Sequence, residues 1–247
     1  MMLDTVLAAN PFFDAYFHSD FLGKAIFLSL IALSVTTWVI VIQKVWITLQ
    51  ARKLSSQFYR AFNGRKAHLL GVEYRCPAKG SAPNPFLSLY QVLKKHTVDI
   101  LNKNRHFNKE EDDTVGSYLS PSDIDFVESH LMTTVATETK NLEKNLFILA
   151  TIVSLAPFLG LLGTVWGILS TFSELQAQSG GNTNQMVLGG LSLALATTVL
   201  GLVDAIPALI GYNYLKNNIR DFETEMECFS NEILTSVEMQ YRKVDVK

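Results

Sequence analysis

Two long apolar segments dominate the C-terminal half of the chain. Residues 146–173 contain no charged side chain over 28 residues, and residues 186–203 contain none over 18 residues before Asp204, beyond which apolar residues continue to Leu215. A helix needs about 20 residues to cross the ~30 Å hydrocarbon layer of a membrane. The pattern therefore predicts two membrane-spanning helices, at 146–173 and 186–214, and the second of them carries a carboxyl group.

A shorter apolar segment near the N-terminus predicts a third span, at residues 21–43. Lys24 is its only charged residue, and its side chains are bulkier than those of the other two segments. We therefore expect this helix to face lipid. Residues 1–20 lack a basic start and contain aspartates, which argues against a cleaved signal peptide. Their clustered aromatic rings predict a short interfacial helix on the periplasmic side.

Outside the spans the apolar pattern becomes amphipathic. Residues 44–145 predict a helical loop domain with helices at 45–63 and 86–101 and a solvated loop at 102–119. Ser120 followed by Pro121 marks a helix start. The spacing of three and four residues beyond it predicts one continuous helix that runs through the second span to Phe172.

The last part of the chain predicts a helical extension of the third span. Residues 174–185 are predicted to form a short periplasmic loop that is uncharged from residue 175 onward, which makes the second and third spans antiparallel neighbours. Residues 215–247 predict a C-terminal helix with a heptad seam, which needs partner helices from the 121–145 stem or from other subunits. The seam residues are Leu215, Ile219, Phe222, Met226, Phe229 and Ile233. The predicted fold is an all-α membrane protein with three transmembrane helices, two of them continuing as long cytoplasmic helices.

The charge distribution predicts the orientation of the chain. Of the 21 Lys and Arg residues, 20 lie in residues 44–144 or after residue 215. By the positive-inside rule these parts lie in the cytoplasm, so the N-terminus and the 174–185 loop are periplasmic. Cys76 and Cys228 then face a reducing compartment and are predicted to be free thiols. We find no arrangement typical of an enzyme, a metal site or a cofactor site, and we expect no nucleic-acid partner.

The second and third spans also contain residues that are unusual in lipid-facing helices. Small residues at helical spacing allow close approach of helix backbones, and they include Gly160, Gly163, Gly167 and Gly201. Pro157 and Pro207 interrupt backbone hydrogen bonding, which neighbouring helices or water usually restore. Three hydroxyls accompany them, from Thr164, Thr197 and Thr198. These residues are interpreted either as helix–helix contacts or as part of a hydrated path for a small cation.

The segment from Ala156 to Gly167 (APFLGLLGTVWG), together with Ala205-Ile206-Pro207-Ala208, resembles the TolQ/ExbB family of bacterial inner-membrane proton-channel proteins. The segment from Trp38 to Lys44 is also similar to that family and leans towards TolQ. The resemblance implies a homopentamer around a pore lined by the second and third spans. It also implies a single-span TolR/ExbD-like partner, whose carboxylate carries the proton, and a TolA/TonB-like periplasmic protein driven by the proton motive force. By motif, Thr164 and Thr198 match the family's pore threonines.

Two positions depart from the family pattern. Leu193 stands where the family usually has Glu, and Asp204 stands where a small residue is usual. The two positions are 11 residues apart, within about 20° of each other on a helix. Asp204 is therefore predicted to share a stripe with Thr197 and to take over part of the lost role, or alternatively to brace the helix near Pro207. For the whole protein the alternative is a non-conducting membrane scaffold of the same fold. The choice between a TolQ-like and an ExbB-like pathway, and between H⁺ and Na⁺, stays open.

Overall fold

A computed structural model describes residues 16, 20–64, 70, 83–108, 118–177 and 183–241. These residues form five long α-helices. They are α1 (Phe21–Asn63), α2 (Pro85–Asn108), α3 (Pro121–Glu143), α4 (Leu146–Ala177) and α5 (Thr183–Tyr241). α1, α4 and α5 are long and apolar enough to cross a membrane. The all-α fold with three spans is thus confirmed.

The chain divides into two compact units. We call Met1–Gln43 with Asn145–Leu215 the spanning unit, and Lys44–Lys144 with Lys216–Lys247 the charged unit. The charged unit holds 20 of the 21 Lys and Arg residues. The helices α1 and α5 each contribute to both units, so the two helices that continue far beyond their spans are the first and the third.

In the spanning unit, α1, α4 and α5 pack around a small core. Its buried members are Ile26, Leu30, Ile152, Ala156, Ala205 and Ala208. Each of the three helices also exposes a row of apolar side chains, such as Val35, Phe158 and Ile206. The exposure of α1 in a single chain therefore does not distinguish it as the lipid-facing helix, which stays a prediction.

Asp20 connects the start of α1 to α4. One of its carboxylate oxygens, Oδ1, accepts a hydrogen bond from the Gly23 backbone N–H at 2.9 Å, and caps the helix in the usual way. The other oxygen, Oδ2, accepts from Trp166 Nε1 at 2.7 Å. One side chain thus terminates the first span and fixes it beside the second.

The charged unit is built around aromatic rings. The seam residues from Ile219 to Ile233 are at most 2% exposed. Phe229 stacks on Phe86 of α2 at a centroid distance of 4.4 Å and contacts Phe58 of α1 at 6.3 Å. The rings that contact the seam thus belong to α1 and α2 of the same chain, which the sequence did not identify as partners.

The prediction of one continuous helix from Pro121 to Phe172 is wrong. α3 ends at Glu143 and α4 begins at Leu146, and Asn145 between them has a φ of 69°. This left-handed conformation cannot continue an α-helix, and Asn is one of the few non-glycine residues that adopt it readily. α3 begins where the sequence predicted, because Ser120 forms a capping box with Asp123.

Other boundaries differ from the sequence prediction by a few residues. α2 continues to Asn108, so residues 102–108 are helical rather than part of a loop. The side-chain amide of Asn104 donates to the Tyr118 carbonyl at 3.1 Å, which anchors this last part of α2. α4 extends to Ala177 and α5 begins at Thr183, so the loop predicted at 174–185 is shorter than expected.

Some predictions fall on residues outside the described ranges. They are the interfacial helix at 1–20, apart from Tyr16 and Asp20, the acidic segment at 109–117, Cys76 and residues 242–247. Cys228 is described and is a free, exposed thiol.

Candidate ion-pathway residues

Glycines allow α4 and α5 to pack with their backbones in contact. A Cβ atom at Gly201 would lie 2.6 Å from the carbonyl oxygen of Ala156, and one at Gly160 would lie 3.0 Å from that of Thr197. A Cβ atom at Gly167 would lie 3.1 Å from Ala194 Cβ. Small residues are needed at these positions because a larger side chain would push the two helices apart.

Thr164 of α4 and Thr198 of α5 meet within this contact. Their hydroxyl oxygens are 2.7 Å apart. Each hydroxyl is also within hydrogen-bond distance of the Gly160 carbonyl oxygen, at 3.0 Å for Thr164 and 3.2 Å for Thr198. Both side chains are half-buried, so the pair has an accessible side.

The hydroxyl oxygens of this pair can still accept a hydrogen bond from a further donor. Two hydroxyls supply two protons, and these can be used by the Gly160 carbonyl and by the bond between Thr164 and Thr198. Each hydroxyl oxygen can accept two hydrogen bonds. The pair can therefore accept a hydrogen bond from a water molecule or from a protonated carboxyl group without losing its own bonds.

Thr197 occupies a different place from its neighbour. It is fully buried, and its hydroxyl donates to the Ala194 carbonyl oxygen at 2.9 Å, with the Gly160 carbonyl oxygen at 3.4 Å. The side chain fills the space that a Cβ atom at Gly163 would need, since the two would approach within 2.4 Å. In this chain Thr197 is a packing residue of the α4–α5 contact.

Asp204 lies on the side of α5 that faces α1. The residue is 4% exposed, and its carboxyl group lies near the hydroxyl of Ser34 on α1. Asp204 and Thr197 are both buried, but Asp204 lies towards α1 whereas Thr197 contacts α4. The side chain of Leu193 is outside the described residues, so its comparison with Asp204 stays a prediction.

Sequence reasoning missed the contribution of α1 to this polar group. Ser34 and Thr37 are one turn apart on α1, and Thr37 is 2% exposed. The available signal was the spacing of these two hydroxyls, one turn apart in a span that also contains Ser29 and Thr36. Pro157 and Pro207, which were expected to free backbone carbonyls within the spans, lie inside α4 and α5. Among the described residues, no group of three or more metal-binding side chains is placed to hold a metal ion.

Comparison with known proteins gives a consistent set of relatives. The model of the MotA/TolQ/ExbB proton channel family matches residues 88–228, which include both threonines of the pair. The chain is 44% identical over 99 residues to the biopolymer transport protein ExbB of Aquifex aeolicus, a match that covers 40% of this chain and 66% of that protein.

Two relatives align over most of this chain. It is 30% identical over 197 residues to the Tol-Pal system protein TolQ of Pseudomonas aeruginosa, which covers 79% of each chain. It is 27% identical over 212 residues to the biopolymer transport protein ExbB of Xanthomonas campestris pv. campestris, which covers 84% of this chain and 78% of that protein. Relatives of both names thus align with most of this sequence.

Proposed function

Since the chain belongs to the MotA/TolQ/ExbB proton channel family, we propose that it is the proton-channel subunit of an inner-membrane stator complex. The family and the three apolar helices indicate a multi-pass protein of the bacterial inner membrane. In the proposed complex the chain couples the proton motive force to a periplasm-spanning protein.

The observation that carries this proposal is the hydroxyl pair of Thr164 and Thr198, 2.7 Å apart in the middle of two apolar spans. Hydroxyls in spans often bond only within their own helix, as that of Thr151 does, whereas those of Thr164 and Thr198 also contact each other across two helices. The pair can accept one more hydrogen bond, which suits a relay that receives a proton from water or from a carboxyl group. Thr197 and Asp204 would belong to the surroundings of this path rather than to the pair itself.

Assembly with further chains supplies the rest of the proposed channel. The exposed apolar rows of α4 and α5 favour contacts with lipid or with other subunits over contact with water. We propose a homopentamer whose second and third spans surround a TolR/ExbD-like single-span partner, with a carboxylate of that partner facing the threonine pair. A TolA/TonB-like protein would then transmit the movement. The basic charged unit would lie in the cytoplasm.

The test is removal of each hydroxyl with little change in shape. Thr164→Val and Thr198→Val are compared with Thr151→Val, a matched control, because Thr151 is exposed and its hydroxyl bonds only within α4, to the Phe147 carbonyl at 2.9 Å. In a strain that lacks the native gene, we expect the control to maintain envelope integrity and both pair variants to lose it. The amount of assembled complex is measured in parallel.

The same experiment distinguishes the alternative function. If both pair variants assemble normally and support envelope integrity at the control's level, the hydroxyls have no role in an ion path. A non-conducting scaffold of the same fold would then be the better description of the protein.

A further inference from the structure

A second polar group lies in the spanning unit, away from the threonine pair. It contains Asp204 on α5 and Ser34 on α1, and Thr37 lies one turn after Ser34 on α1. Asp204 is 4% exposed and Thr37 is 2% exposed, and the Ser34 hydroxyl lies near the Asp204 carboxyl group. The group therefore lies between the first and third spans, whereas the threonine pair lies between the second and third.

Two oxygen atoms in this group are buried without a hydrogen-bond partner among the described residues. They are Oδ2 of Asp204 and Oγ1 of Thr37. Other hydroxyls of the spans bond to a carbonyl in the preceding turn of their own helix, as Thr36 does with Ala32 at 2.7 Å. Thr37 does not, although it is adjacent to Thr36 in sequence. Buried polar atoms of native proteins are nearly always paired with protein, with water or with a bound ion.

The backbone near Asp204 supplies a further acceptor. Pro207 lies inside α5 and has no backbone N–H. The carbonyl of Val203, four residues earlier, thus lacks the donor that a regular helix would give it. A carbonyl without its regular helical donor thus lies one residue from Asp204 in the chain.

No cationic side chain lies near Asp204 in the sequence of the three spans. α4 has no charged residue between 146 and 173, and the only charged residue of α1 between 21 and 43 is Lys24, ten residues from Ser34. On α5 no charged residue lies between 186 and 203 or between Ala205 and Leu215. A buried carboxyl group beside a hydroxyl of α1, with no cationic side chain near it in the three spans, can be neutralised by a small monovalent cation, which prefers oxygen ligands of this kind.

We propose that Asp204, Ser34 and Thr37 form a second cation-binding site, which holds one proton or one sodium ion between the first and third spans. The ion neutralises the carboxyl group and satisfies the unpaired oxygens of Asp204 and Thr37. The site is separate from the threonine pair and does not depend on the channel function proposed above. Because the site lies between α1 and α5, its occupancy couples the position of α1 to the concentration of the bound ion.

The site is tested by thermal unfolding of the full-length protein purified in detergent. A ligand that binds only the folded state raises the melting temperature by mass action. In the sodium arm, NaCl replaces choline chloride at constant ionic strength. In the proton arm, the pH is lowered stepwise from 8 to 5 without sodium. We expect the melting temperature of the wild type to rise by a few degrees relative to that of Asp204→Asn in one of the two arms, and this arm identifies the ion.

Three variants make the test specific. Asp204→Asn keeps the size of the side chain but cannot ionise, and Thr37→Val removes one proposed ligand; both should reduce or abolish the response. Thr36→Val is the matched control and should respond like the wild type, because the hydroxyl of Thr36 is already bonded within α1. Parallel melting profiles of the wild type and Asp204→Asn in both arms would overturn the proposal.

A chemical probe gives an independent readout. Dicyclohexylcarbodiimide adds to protonated carboxyl groups in apolar surroundings, and mass spectrometry locates the adduct. We expect an adduct on Asp204 that forms faster at low pH if the ligand is a proton, and that sodium suppresses if the ligand is sodium. Thr164→Val should be labelled like the wild type, so failure of the channel proposal would not affect this result. An adduct that is insensitive to both ions would contradict the site.

Discussion

Replacement of Gly201 by alanine tests whether the α4–α5 contact is as close as described. The added Cβ atom would lie 2.6 Å from the Ala156 carbonyl oxygen and 3.2 Å from Gly160 Cα, whereas ordinary contacts begin at 3.4 Å. Both neighbours are backbone atoms and cannot rotate away. The helices must therefore separate by about 0.8 Å at this point, the difference between 3.4 and 2.6 Å.

Two opposing effects set the expected magnitude. Alanine is favoured over glycine inside a helix by about 1 kcal/mol. Forcing extra atoms into a packed contact costs about 1–3 kcal/mol, and a clash with backbone belongs at the upper end. We therefore expect Gly201→Ala to lose about 1–2 kcal/mol of stability, which lowers the melting temperature by about 2–8 °C in a protein of this size.

Gly64→Ala provides the matched control for this prediction. A Cβ atom at Gly64 would have no neighbour closer than 3.7 Å, so the same chemical change should be neutral or stabilise by up to about 1 kcal/mol. Thermal unfolding in detergent compares the two variants. If Gly201→Ala melts at or above the temperature of Gly64→Ala, the close backbone contact of α4 and α5 does not exist in the protein.

Two further predictions concern the charged unit. Phe229 is 2% exposed and stacks on Phe86 at a centroid distance of 4.4 Å. Phe229→Ala should therefore lower the free energy of unfolding, measured by heat or denaturant, by about 3–5 kcal/mol. A loss below about 1 kcal/mol would show that the ring is not part of the core. Burial, followed by the nearby His130 and Lys95, lowers the pKa of His96 below its usual value. The unfolded chain then takes up the proton more readily, so stability present above pH ~6.5 should decline as the pH falls. His96→Gln should flatten this pH dependence, and an unchanged profile would exclude His96 as its source.

The sequence was sufficient to predict the spans because they depend on local composition. It singled out Thr164 and Thr198 through the family resemblance, but it did not show that their hydroxyls contact each other. An uncharged apolar segment that is long enough to cross a membrane as a helix predicts a span by its length alone. Thr164 and Thr198 lie at motif positions that the family resemblance assigns to the pore. The break between α3 and α4 could not be predicted in the same way. It depends on the backbone conformation of Asn145, a residue that is also found within helices, and neither Gly nor Pro marks the position.

The surroundings of individual side chains were the least predictable feature. Helical periodicity places Asp204 and Thr197 on one stripe, but it does not show that one contacts α1 and the other α4. Likewise, the heptad seam of α5 shows that Phe229 needs a partner, but not that the partners are Phe58 and Phe86. Contacts of this kind join residues far apart in the chain, and their identity depends on how the helices pack.

Proton flux through the purified complex tests the channel function most directly. The chain is co-purified with the single-span partner encoded beside it and reconstituted into liposomes that contain a pH-sensitive dye, and a potassium gradient with valinomycin supplies the driving potential. We predict acidification with the wild-type complex, loss of most of it in Thr164→Val and Thr198→Val, and retention in Thr151→Val. Flux from the fully assembled wild-type complex that equals that of empty liposomes, or that persists when both hydroxyls of the pair are removed, would contradict a proton path at Thr164 and Thr198.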